Sequence, residues 1–125
     1  TGTHAATQAI GIACGDETTV TAVATGVTEF QMPFGFELTD VRATVTTAPT
    51  TDAGFTVDIN EGGVSILSTK ITIDATEKTS ATAATPPVIS DSTLADSGVI
   101  TIDVDAASTG ATEAGLKIWL IGYQT

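Results

Sequence analysis

Side chains able to do chemistry are few in this sequence: one histidine, one cysteine and 15 carboxylates. A hydrolase triad needs a histidine held firmly as its base, and His4 falls in the opening stretch TGTHAATQ, whose small polar residues read as a flexible arm. Cys14 ends the apolar run AIGIAC, with no Lys, Arg or His beside it in sequence to favour the thiolate. It reads as a small buried side chain. One Cys and one His are too few for a zinc site, and a lone Cys makes no internal disulfide. No phosphate-cradling glycine loop or dinucleotide fingerprint is present.

The carboxylates leave one cofactor to consider. Asp103 and Asp105 stand two apart on one face of a predicted strand, while Asp91 and Asp96 flank a loop. Oxygen-rich groups of this kind bind calcium, which makes these four the metal candidates. They match no helix–loop–helix pattern, and solvated surface charge is the competing reading. Paired acids also occur in glycosidases, but such sites lie in clefts lined with sugar-stacking aromatics. This chain has four Phe, one Trp and one Tyr, several of them at core positions. No catalytic residue is expected, and no cofactor other than calcium.

The elements that would position these residues are strands. Threonine supplies 26 of the 125 residues, and a β-branched polar side chain suits the solvated face of a sheet. Strong helix formers are scarce. Strand signals recur between turn residues at AIGIAC (9–14), TTVTAVA (18–24) and VTEFQMPF, whose Pro33 belongs at a strand end, an edge or a bulge. The second half of FELTDVRATVTTA (36–48) alternates, with Val41, Ala43 and Val45 inward and Arg42, Thr44 and Thr46 outward. In GFTVDIN (54–60), Phe55, Val57 and Ile59 share a face, with Thr56 and Asp58 towards solvent. Asn60-Glu61-Gly62-Gly63 is a hairpin turn. VSIL and KITID follow, and residues 75–98 are irregular, with one helical turn near Thr93-Leu94. GVITIDVD (98–105) sends Ile100, Ile102 and Val104 inward, and LKIWLIGY (116–123) closes the chain. The expectation is all-β: a single antiparallel, jelly-roll-like β-sandwich of about eight strands over residues 9–125, with little or no helix, preceded by an arm over residues 1–8.

The last strand is unusual in being apolar on both faces. Leu116, Ile118 and Leu120 suit the core; Trp119, Ile121 and Tyr123 lie opposite. Either the arm or a loop covers these three, or they form a subunit interface, for which Trp and Tyr are well suited. Four basic residues against 15 acids give a net charge of -11. With no Lys/Arg cluster to neutralise phosphates, neither nucleic acid nor an anionic membrane is an expected partner. No signal-peptide pattern or membrane-spanning apolar run is visible. The chain begins at Thr1 without methionine, which predicts trimming, either of Met alone or from a longer precursor.

Four stretches carry a resemblance: ACGDETT (13–19), FQMPFGFELTDVRATVTTAPT (30–50), VDINEGGVSILSTKITIDATEKTS (57–80), and VISDSTLADSGVITIDVD with GLKIWLIGYQ near the end. Together they resemble a β-sandwich module of structural proteins in tailed bacteriophages, and the likeness covers nearly everything after residue 9. These are scaffold motifs, and the family offers no catalytic residues to carry over. The resemblance implies a place on the virion exterior, as a head-decoration protein or at a fibre or spike tip, commonly as a homotrimer. A capsid decoration or cement protein is expected first, contacting itself and the major capsid protein or another virion protein. Trp119, Ile121 and Tyr123 are the expected self-association surface, and the arm residues Thr1, Gly2, Thr3, His4 and Gln8 would drape over an adjacent protein. The alternative is a tip domain that binds host-surface glycans through the loops Ala48–Ala53 and Ala106–Ala114. Those loops hold no aromatic platform for a sugar.

Overall fold

The computed structural model describes residues 6–51 and 55–125. In chain order the strands are β1 (Gln8–Ala13), β2 (Ala24–Gln31), β3 (Phe36–Thr44), β4 (Phe55–Glu61), β5 (Val64–Ser65), β6 (Leu67–Thr69), β7 (Ile71–Ile73), β8 (Val88–Ile89), β9 (Thr93–Leu94), β10 (Val99–Ala106) and β11 (Lys117–Gln124). One sheet has the order β1-β11-β3-β9, the other β2-β10-β4-β5 with β7 also paired to β4, and β6 pairs with β8 apart from both. Every strand pair is antiparallel. Lettered B to I along the chain, with β5 and β7 sharing F, the two sheets read B-I-D-G and C-H-E-F. That is the jelly-roll order, in an antiparallel β-sandwich with almost no helix.

The core lies between the sheets and follows the alternation of the long strands. Ile100, Ile102 and Val104 of β10 and Ile118 and Leu120 of β11 are all at most 1% exposed, as their positions predict. In β3 the inward residues change parity: Phe36 and Leu38 are even-numbered, Val41 and Ala43 odd, and all four are buried. Strict alternation forbids this, and an extra residue supplies it. Pairing with β11 passes from Gly122–Leu38 to Ile121–Asp40, leaving Thr39 unpaired as a β-bulge. The hairpin from β4 to β5 turns at Gly62-Gly63, with φ of 59° and 82°, values that glycine adopts without a Cβ penalty.

Three local expectations are corrected. Residues 18–24 do not form a strand; apart from a bridge between Val20 and Ala114 they are loop up to Ala24. Asp16 accounts for this, because its Oδ1 accepts the N–H groups of Thr18 and Thr19 at 3.0 and 2.6 Å and so winds the chain out of extension. Thr93-Leu94 is strand β9 on the edge of β3, placing Leu94 in the core, and among the described residues the one helical turn is a 3-10 turn at Ser80–Thr82. Asp58 does not face solvent. It is 5% exposed, because β4 is covered on that side by the returning hairpin, whose Ser65 hydroxyl donates to Asp58 Oδ1 at 2.6 Å.

Candidate interaction face

Strand β11 runs through the middle of the first sheet, between β1 and β3, so its outward side chains form the centre of that sheet's outer face. Trp119 stands opposite Gly11 on one side and Arg42 on the other; Ile121 stands opposite Ala9 and Asp40. The small residues of β1 give the indole room. A Cβ on Gly11 would lie 2.5 Å from Trp119 Cζ3, so the ring occupies the space above that glycine. The indole N–H donates to Thr44 Oγ1 at 3.0 Å, which fixes the ring's lean. Shallow recesses of about 330 and 320 Å³ flank the ring, one lined by Gly11, Ile12, Ala13 and Lys117, the other by Ala9, Arg42, Thr44 and Ile121. Trp119 and Ile121 are half-buried, and Tyr123 at the end of the row is 40% exposed. The sheet thus brings the three expected interface residues onto one face.

Most charge on this face is paired, the exception being Glu37, opposite Tyr123, which accepts the Ser92 and Thr93 hydroxyls. Arg42 pairs with Asp40 at 3.3 Å and Lys117 with Glu17 at 2.8 Å, which places two of the four basic residues beside acids here. The outer side of the second sheet differs. Asp58 and Asp103 are directly opposite each other on β4 and β10, Asp105 follows two residues on, and Lys70 is the cation beside them. The hydrogen bond from Lys70 to Asp105, with the fields of Asp58 and Asp103, holds the ammonium above its ordinary pKa.

The calcium candidates do not converge. Asp103 clamps two strands, accepting the Gly26 N–H at 2.7 Å in the bulged part of β2 and the Asn60 side-chain amide at 2.9 Å. Asp105 pairs with Lys70, Asp91 accepts the Thr93 N–H at 3.2 Å, and Asp96 bonds the neighbouring Ser97 hydroxyl at 3.5 Å. Among the described residues no group of three or more His, Cys, Asp or Glu side chains is placed to hold a metal.

The two loops expected to bind glycans lie together at one end and are laced to each other. Thr112 Oγ1 donates to Ala48 O at 3.0 Å and Thr51 Oγ1 to Thr109 O at 2.9 Å. Beneath them sits Glu113, 0% exposed, whose carboxylate accepts the Ser108 N–H, the Ser108 hydroxyl and the Thr112 N–H at 2.9, 2.6 and 3.0 Å. Burial pushes this carboxyl up, yet the donors outweigh it and hold the pKa below the ordinary Glu value. Ala53, within the first of these loops, lies outside the described residues, as do Thr1, Gly2, Thr3 and His4 of the arm. Gln8, assigned by sequence to the arm, opens β1 opposite Gly122. Cys14 is half-buried against the core, and desolvation, despite bonds involving Thr28 and Ile118, raises its thiol pKa.

Sequence reasoning missed Ala9, Gly11 and Ala13 as the floor beside Trp119. Small residues alternate there with Ile10 and Ile12, and Ala9 and Ala13 flank the glycine that admits an indole, but that pattern gains its meaning only from the pairing of β1 with β11. Compared with known proteins, the chain matches no family model, no curated protein and no solved structure.

Proposed function

We propose that this chain is a non-enzymatic building block of a tailed-phage particle, standing on the capsid exterior as a decoration or cement protein. In this reading each copy binds its neighbours and the major capsid protein through the outer face of the first sheet and turns the second sheet to solvent. One observation carries it: the two outer faces differ, one holding two ion pairs around a half-buried Trp119, the other setting Asp58 against Asp103 with Asp105 beside them and one lysine, Lys70, for the three. Contact centred on Trp119 and Ile121 removes apolar surface while the ion pairs stay hydrated at the rim, and the second face keeps a chain of net charge -11 hydrated and apart from packaged DNA. The sequence resemblance supports the virion assignment, and the jelly roll, a frequent capsid architecture, is compatible with it by fold analogy. The homotrimer implied by the resemblance is one assembly that such a face would serve.

Location is the direct test. Antibodies raised against the chain and detected by gold labelling on purified particles should mark the head at regular density. Label confined to the tail or fibre tip would favour the glycan-binding alternative instead. Particles without label would overturn the virion assignment.

A further inference from the structure

The Trp119 face runs out to an edge of the first sheet, and among the described residues no strand pairs with that edge. Among the described residues the other edges are each blunted: β5, β8 and β9 are two residues long, β6 and β7 three, and β2 carries Glu29 and a break in register where Asp103 holds Gly26. Strand β1 has none of these devices. It is six residues, QAIGIA, with no charge, no proline and an unbroken register against β11.

Its hydrogen-bonding pattern fixes which groups face outward. Cys14 N–H bonds to Leu116 O at 2.9 Å, in line with the β1–β11 register. Antiparallel pairing alternates, so Ile12, Ile10 and Gln8 bond to β11, and the N–H and C=O groups of Ala9, Gly11 and Ala13 point to the open edge. An extended backbone is what satisfies such a row. Resting on the self-association reading above, we propose that its occupant is β1 of a second copy, paired antiparallel about a two-fold axis at Gly11.

The register is self-complementary. Gly11 meets Gly11 and Ala9 meets Ala13, so the outward groups exchange about six hydrogen bonds. On the inner side Ile10 meets Ile12 of the second copy, and these two side chains, only half-buried in one chain, close over each other. On the outer side the two Trp119 residues, about 14 Å apart across three strand spacings, lean towards each other over the glycines. No like charges meet along β1, which matters for two chains of net charge -11. The result is a continuous eight-stranded sheet from two four-stranded ones.

Amide exchange and solution mass, read together on wild type and Ala9→Pro, test this. Proline at position 9 removes only an outward N–H, so the β1–β11 ladder survives in the variant. Wild type should have the mass of two chains, with Gly11 and Ala13 amides exchanging at least ~10-fold more slowly than in a monomeric Ala9→Pro. Protection at Ile10 and Ile12 should be equal in both and certify the fold. A three-chain mass would overturn the two-fold pairing and leave self-association standing. A single-chain mass at every concentration would remove both. Equal exchange of Gly11 and Ala13 in the two proteins would also overturn the pairing.

Discussion

Gly11 and Trp119 make one unit, because the ring stands where any other residue at position 11 would place its Cβ. Gly11→Val should force the indole outward, with red-shifted Trp fluorescence and a stability loss of about 1–3 kcal/mol by denaturant titration. Glu113 makes a second, pH-dependent prediction. Its folded pKa lies below the unfolded value, so the folded chain binds fewer protons in that interval and the stabilisation is complete above about pH 4.3. It declines as pH falls through the lower folded pKa. Glu113→Gln should therefore cost about 1.5–3 kcal/mol at neutral pH, a gap that narrows on acidification below about pH 4. A gap independent of pH would mean that the charge on Glu113 does not anchor the loops. Neither residue's role could be read in sequence. The glycine's depends on a cross-strand neighbour more than a hundred positions away, and the glutamate's on a loop folding back over it.

Strands were legible wherever alternation was sustained by tertiary burial. Residues 98–105 and 116–123 show inward sets that match the core position for position. Reading failed where a side chain re-routed the backbone, as Asp16 converts an alternating Thr/Val stretch into loop; in β3 the inward set Val41, Ala43 and Val45 held, while the bulge at Thr39 that shifts parity before it left no mark in the sequence. Asp58 and Asp103 looked like solvated acids because alternation tells inward from outward, not what covers the outward side. Of the interaction face, the β11 half was legible from its apolar doubling; the β1 half was not, since Ala and Gly announce nothing until a Trp is set against them. Asp103 links β2, β10 and β4 through two bonds to a charged acceptor. Asp103→Ala should cost about 2–4 kcal/mol and speed amide exchange in the bulged part of β2 before that in β11. A uniform change across both sheets would contradict the clamp.

At the scale of the molecule, the sandwich segregates its charge: balanced ion pairs on the outer face of one sheet, opposed carboxylates on that of the other. Association through the balanced face still brings two strongly acidic bodies together. Added salt should screen their long-range repulsion and tighten association, the opposite of what a salt-bridged interface shows. Weakening with salt would point to contacts through charged groups elsewhere. The most direct test of the account is the solution mass of wild type and Trp119→Ser by light scattering, with circular dichroism to confirm that both are folded. A multimeric wild type and a folded, monomeric Trp119→Ser are the predicted pair. A wild type that stays a single chain at every concentration and salt, with Trp119→Ser no different, would contradict it.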